Sequence, residues 1–436
     1  MAINNLPVQL QAAVQHNFLE QFFEDGLQST VGFRAIADRE AFPNGIGETI
    51  TKTRTGLLIP TTTPLDPSTN LALDNGLTPQ NWTIEQYTLS INAYGATIDL
   101  NTETSKVAIA DLFKENTIKL GTQATQSLDR LARNALYGSY LGGNTFVVTT
   151  LGAPGTAIHV DNVSGFENVL VNGVMTAVSS TNPMTVTVGA DVYSLVGTAR
   201  DGTNSSTLAA YGAASGTLTL SANVTVADGT VNNPVVSAVA PYILRPNSRA
   251  GTPQLVAGDY LTLQLLLGAV ARLRDNNVPT INGCYNCYLD NTTMLELFRD
   301  PDFKMLYRGE YGADAYQKGV VVQLLGIRFI PTTEAPQQSL GGVPVRRVII
   351  CGKGALIEGD WVGLGQDVER GEAVKRMVDG ICVVIRQPLD RFQEIISQSW
   401  KWRGGFAVPT DITASPNIIP TASNSYWKRA AIIECL

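Results

Sequence analysis

GDYLTLQLLLGAVARLRDNNVP (residues 258–279), CYNCYLD (284–290), LFRDPDFKMLYRG (297–309) and GVVVQLLGIRFIPTTEAP (319–336) follow one another closely, and their reading decides the fold of this chain. Leu263, Leu266, Leu267, Val270 and Leu273 recur at helical spacing. That predicts an amphipathic helix over Leu261–Asn277, opened by Asp259 as N-cap and stopped by Pro279. Its apolar face needs a sheet to lie on, and the next segments supply one. CYNCYLD reads as a short strand, Asp300 and Pro301 as the N-cap and first-turn pair of a second helix, and Val320–Ile330 as a buried strand bounded by Gly319 and Pro331.

Working outward, Leu6–Leu27 carries Leu10, Val14, Phe18 and Phe22 at i, i+4 steps, with Leu19 and Phe23 beside them, which predicts an amphipathic helix. In ETITKTRTGLLIP (48–60), Thr49, Thr51, Thr53 and Thr55 alternate with Ile50, Lys52 and Arg54, so both faces of this strand are largely polar. A strand pair with so little apolar surface buries no core and must draw its stability from outside itself. The return strand, NWTIEQYTLSINAYGATIDL (81–100), is richer in aromatic and β-branched residues. Between them runs PTTTPLDPSTNLALDNGLTPQ (60–80), with Pro60, Pro64, Pro67 and Pro79, far longer than the loops of compact domains. A partner should order it. Ser105–Tyr137 then places Ala110, Phe113, Thr117, Leu120, Ala124, Leu128, Leu131 and Ala135 close to a 3.6 period behind a Ser105 cap. Gly121 marks a bend or break in that helix, and Gly138, Gly142 and Gly143 mark its end.

From Thr145 to Ile243 only Asp161, Glu167, Asp191, Arg200, Asp201 and Asp228 are charged, which sets this stretch apart as a β module. Leu218, Leu220, Val224 and Val226 share one parity against Thr217, Thr219, Ser221, Asn223 and Thr225, and Met184, Val186 and Val188 oppose Thr185 and Thr187. This period of two marks half-buried strands, and the turns between them predict a small sandwich or barrel.

The succession around 258–336, with GKGALIEGDW (352–361), RQPLDRFQEIISQSWKWRGGFAVPTD (386–411) and YWKRAAIIE (426–434), resembles the major capsid proteins of tailed double-stranded DNA bacteriophages, the Hong Kong ninety-seven-like fold, in the branch common in short-tailed phages. The resemblance implies an α+β fold with an N-terminal arm (1–46), an extended loop hairpin (47–99) and a helical part of the capsid core (100–144). An inserted all-β domain (145–243) follows, then a C-terminal part (244–436) with the spine-helix peripheral domain, carrying the 261–277 helix, and the axial domain. It also implies self-assembly as hexamers and pentamers into an icosahedral shell around the genome, in a virion assembled in the host bacterial cytoplasm. Scaffolding protein, portal and a decoration protein are the implied partners, with non-specific contact to packaged DNA. On this reading the inter-subunit contacts involve Leu10, Phe18 and Phe22 of the arm and Lys52, Arg54, Leu65, Leu71, Leu73 and Trp82 of the loop. An encapsulin-type shell, with protein cargo in place of DNA, and a tail, fibre or surface-layer protein are the alternatives. The last should lack the long helices at Ser105 and Leu261.

Composition bounds the function classes. Charged residues are 16% of the chain against a typical share of about 25%. Either other protein covers much of the surface or the chain is simply β-rich with many turns. With 38 acidic and 31 basic residues, a formal charge of −7 and basic residues only in scattered pairs, there is no phosphate-tracking stripe. The N-terminus has no basic start followed by an apolar core, and no apolar run approaches the ~20 residues that span a membrane. This predicts a protein made and used in a cytoplasm, without a membrane partner. Cys284, Cys287, Cys351, Cys382 and Cys435 are sparse and lie mostly in apolar stretches, as reduced thiols do.

No constellation for catalysis, cofactor or metal emerges, so an enzyme is not expected. Cys284 and Cys287 form a CxxC without a second ligand pair, on opposite faces of their strand. The two histidines, His16 and His159, stand in no catalytic context. Gly352-Lys353-Gly354 lacks the rest of a phosphate loop and Gly363-Leu364-Gly365 the rest of a dinucleotide fingerprint, so both read as turns. Asp300 and Asp302 are explained by helix capping.

Overall fold

The computed structural model describes residues 32–42, 49–64, 79–82, 84–101, 109–310, 323–361, 373–386, 391–392, 394–411, 418–422 and 426–436. The Leu6–Leu27 helix, the Ser105 cap and Gly363–Gly365 lie outside them. Among the described residues the α-helices are α1 (Ile109–Tyr140), α2 (Leu263–Asp275), α3 (Asn291–Leu297) and α4 (Pro301–Glu310). The chain forms two units, one of residues 1–50, 88–133 and 356–407, the other of 51–87, 134–355 and 408–436.

The first unit is a one-sided sheet under a helix. Its strands run in the order Asp38–Phe42, Ile357–Trp361, Ile395–Ala407, Ile381–Arg386, Ala373–Val378, and Asn92–Asn101 also pairs with Ile395–Ala407. The long strand is therefore flanked on both sides: Trp400 lies opposite Val383 on one neighbour and Ala96 on the other. Its alternation decides which face is covered. Ile396, Gln398, Trp400 and Trp402 are buried, while Ser397 and Ser399 on the other parity bond to Asp99 and Thr97 at 2.6 and 2.9 Å. Leu120, Ala124 and Leu128 of α1 pack on Ile381, Val383, Trp400 and Trp402. Asp129 of the same helix accepts from the amides of Phe33 and Arg34 at 2.7 and 3.0 Å, which ties down the short turn Arg34–Ile36.

Helix α1 runs unbroken through Gly121 and Gly138, so the expected break is absent and the end comes at Tyr140. Packing of Leu120 and Ala124 on either side of Gly121 outweighs the roughly 1 kcal/mol that a mid-helix glycine costs. Helix α1 has 32 residues and α2 has 13. The expected return strand is two strands, Ile84–Ser90 and Asn92–Asn101, which belong to different sheets.

In the second unit, α2 lies on a mixed seven-stranded sheet ordered Ile243–Leu244, Ala430–Cys435, Val343–Cys351, Tyr285–Leu289, Ile327–Pro331, Gln323–Leu324, with Gln337–Leu340 also paired to Val343–Cys351. Leu263, Leu266, Ala269, Val270 and Leu273 form the buried stripe of α2, but Leu267 is 40% exposed because it sits at the margin of that stripe. The N-cap is Thr262, whose side chain accepts from the Leu265 amide, and not Asp259. Asp259 is buried instead, accepting from the Val256 amide, Asn247 and Arg249. Asp300 caps α4 as its spacing suggests and also accepts from the Leu263 amide at 2.7 Å. The expected strand Val320–Ile330 is a hairpin where it is described: Leu325 and Gly326, with φ of 52° and 79°, turn Gln323–Leu324 back on Ile327–Pro331.

The 144–237 segment is a barrel. Its antiparallel strands run Asn144–Phe146, Pro234–Ser237, Met184–Val188, Asp191–Arg200, Gly216–Val224, Gly155–Val160, and a bridge between Val147 and Val160 closes the ring. Register shifts at Leu195/Gly197 and Thr219/Val224 supply the extra curvature that closure requires. Leu218, Leu220, Val224, Met184, Val186 and Val188 fill the interior as their parity implies. Val226 does not, being 39% exposed past the end of its strand.

One buried charge sits among matched partners. Glu434, in the middle of the seven-stranded sheet, accepts from Arg245, Arg347 and Thr252 at 2.7–3.0 Å. Burial alone would raise its carboxyl, but Arg245 and Arg347 outweigh that and hold it at about 2, against an ordinary 4.5. A depressed acid stabilises the fold above its unfolded-state value and loses that contribution as the pH falls through the folded-state one. Urea melts should therefore show stability dropping between pH 4.5 and about 2, and Glu434→Gln should lower stability at neutral pH while flattening that acid limb.

Gly405 allows the closest approach in the first unit, since a Cβ there would lie 1.9 Å from the Ser90 carbonyl oxygen. Gly405→Ala should cost roughly 1–3 kcal/mol or more in denaturant unfolding. Leu266→Ala, in the other unit, should cost about 2–5 kcal/mol.

Candidate functional site

The feature best fitted to a function is the two-stranded ribbon of Thr49–Thr55 and Ile84–Ser90. Along its first strand the four threonines are exposed and Ile50, Lys52 and Arg54 half-buried, the alternation the sequence carries. Leu89 and Ile91 are buried with Ile50 and Ala407 in the first unit, which seats that end of the ribbon.

Within the second unit the root is ionic. Glu85, Thr410 and Lys428 are 1%, 2% and 3% exposed, and Glu85 Oε2, Thr410 Oγ1 and Lys428 Nζ have no hydrogen-bond partner among the described residues. Arg54, Asp411 and Arg429 complete the cluster; Arg429 donates to Asp411 at 3.0 Å and to the Lys353 carbonyl at 3.0 Å. Burial pushes the Glu85 carboxyl up to about 7; the adjacent Thr410 hydroxyl opposes the rise most, Asp411 adds to it, and Lys428 and Arg54 also oppose it. Burial likewise lowers Lys428, and burial together with Arg429 lowers Arg54. Arg54 is thus engaged by its own chain. The Gln86 amide donates to the Gly173 carbonyl at 2.8 Å, so the Asn168–Ala177 hairpin also touches the root.

The chain just beyond Arg54 and Glu85 is different. Leu57, Leu58, Ile59, Trp82 and Ile84 are each 44–56% exposed, an apolar cluster at the mouth of the long loop. Of the residues singled out for contact, Trp82 belongs to it, Arg54 lies in the ionic cluster, Lys52 lies between that cluster and Ile50, and Leu10, Phe18, Phe22, Leu65, Leu71 and Leu73 lie outside the described residues. Glu85 and Lys428 were not identifiable from sequence, because nothing in either segment signals that the fold joins positions so far apart.

The remaining groups lack reactive geometry. His159 Nε2 lies 2.8 Å from Asp201, and Ser215 donates to the same carboxylate at 2.7 Å, so the hydroxyl is bound to the acid and not to the imidazole base that a serine nucleophile requires. All five cysteines are buried and none forms a disulfide, and burial pushes the Cys287 thiol up. Gly352–Gly354 is a turn. Among the described residues no group of three His, Cys, Asp or Glu side chains is placed to hold a metal, and no helix is long and apolar enough to cross a membrane.

No family model and no curated protein matches the chain. Among solved structures, the capsid of Ralstonia phage GP4 is similar over 93% of this chain and 88% of that one, with 11% identity and a TM-score of 0.51. The capsid asymmetric unit of cyanophage Pam1 aligns over 94% and 93% with 10% identity and a TM-score of 0.49, and the capsid of cyanophage P-SCSP1u over 93% and 88% with 11% and 0.47. With helices and many strands in the same chain and a match that covers nearly all of it, the chain has the α+β fold of a tailed-phage capsid protein.

Proposed function

We propose that the chain is the major capsid subunit of a tailed double-stranded DNA phage, and that its work is self-association into an icosahedral shell around the genome. The observation that carries this reading is the ribbon: seated at its root and apolar at its tip, it has no interior of its own. A second copy lying under Leu57, Leu58, Ile59 and Trp82 supplies the missing side. Apolar area covered in this way contributes about 25 cal/mol per Å², before ordering costs are subtracted. The likeness to the GP4 capsid supports the same reading through the fold.

In this proposal residues 1–46 act as an arm and 47–99 as the extended loop. Residues 100–144 and 244–436 form the shell core with its spine and axial parts, and 145–243 an insertion on the outer surface. Leu10, Phe18, Phe22, Lys52, Arg54, Leu65, Leu71, Leu73 and Trp82 contribute inter-subunit contacts, Arg54 through its hold on the root. The copies meet as hexamers and pentamers. Scaffolding protein, portal and a decoration protein are the partners, packaged DNA is touched without sequence preference, and assembly takes place in the bacterial host's cytoplasm. The role is structural and not enzymatic.

Negative-stain microscopy of the expressed chain, with and without a scaffolding partner, tests the assembly directly. Deleting residues 60–79 should leave a soluble, folded subunit that fails to form stable shells; shells of wild-type yield and stability from that deletion would overturn the role given to the loop. Replacing Leu57, Leu58 and Trp82 by serine should leave the unfolding midpoint of the isolated subunit within about 1 kcal/mol of wild type while lowering shell yield, because exposed side chains contribute little to the monomer.

A further inference from the structure

We propose that the buried Glu85–Lys428 cluster is a proton-operated latch that fixes the root of the ribbon to the C-terminal segment of the same chain. Three observations place it there. Glu85 comes from the ribbon and Thr410 and Lys428 from the C-terminal segment, so the cluster joins two pieces of chain that share no strand pairing among the described residues. All three side chains are more than nine-tenths buried, and each has a polar atom without a partner, so the docked arrangement leaves polar groups unsatisfied that water would otherwise serve. The cluster is also unbalanced, with Arg54, Lys428 and Arg429 against Glu85 and Asp411, and Tyr87, Tyr140 and Tyr426 as the remaining titratable groups within electrostatic reach.

The consequence is a dependence on proton concentration. Glu85 docked in this site holds its proton more tightly than when the root is open to water, so docking takes up a proton over the window between the ordinary value of 4.5 and about 7. Docking is strongest below this window and weakens as pH rises through about 7. Lys428 acts in the opposite sense at higher pH, where burial favours its neutral form. The Asn168–Ala177 hairpin, bonded to Gln86 through Gly173, and Tyr426, which accepts from the Leu170 amide at 3.3 Å, move with the latch.

The latch is a property of one subunit and its test does not require shells. Hydrogen exchange of the unassembled full-length chain, followed by mass spectrometry and corrected for the intrinsic pH dependence of exchange, reads the protection of 84–90 directly. Protection of these amides should fall at least about tenfold between pH 5 and pH 8, within the roughly 300-fold ceiling set by a shift from 4.5 to about 7. Glu85→Gln should abolish that pH dependence. Lys428→Met, which keeps Glu85 but removes its opposing cation, should move the loss of protection to higher pH, and it gives the readout if Glu85→Gln does not fold. Protection of 84–90 that is flat with pH in the wild-type chain, or a pH dependence unchanged in both variants, overturns the proposal. Since the measurement uses single subunits, failure of the latch is distinguishable from failure of the shell reading, which microscopy decides.

Discussion

A two-stranded ribbon has no inside, and most of what is distinctive in this chain follows from that constraint. Strands become stable when a third strand, a helix or another sheet covers one of their faces. Here Leu89 and Ile91 are covered at one end, the ionic cluster holds Arg54 and Glu85, and at the other end Leu57, Leu58, Ile59 and Trp82 stay open to solvent. That exposed apolar tip is the surface which, in the shell proposed above, a neighbouring copy covers.

Electrostatics follows the same division. Charges are scarce, and those inside are used sparingly: Glu434 is enclosed by two arginines and a threonine, and Arg34 of the first unit donates to Glu358 at 2.7 Å. In both sites the acid meets its cation directly, although Arg347 Nη1 keeps no partner among the described residues. The Glu85–Lys428 cluster is the contrasting case, where burial is as deep but polar atoms remain unpaired.

Much of this was legible in the residues. The α2 stripe, the alternation of threonines in Thr49–Thr55 and the inward parity of Met184–Val188 and Leu218–Val224 survive because burial enforces a period wherever one face is covered. Local chemistry was read less well when tertiary partners competed for it. Asp259 precedes α2 at a suitable distance for a cap, yet Asn247 and Arg249 claim its carboxylate and Thr262 takes the cap. The Val320–Ile330 run looks like one strand because the Leu325–Gly326 turn is apolar and carries no Asn-Gly signal. Gly121 suggests a break that packing overrides. The root cluster was out of reach, since pairing Glu85 with Lys428 is a fact of topology and no local pattern encodes it.

The barrel ends where it begins. Asn144 lies opposite Val236, and the Ser237 amide donates to the Gly143 carbonyl at 2.8 Å, so the chain enters and leaves through a doorway two strands wide. An element joined to its host at such a point can be exchanged for another of different size or chemistry without altering the path of the surrounding polypeptide.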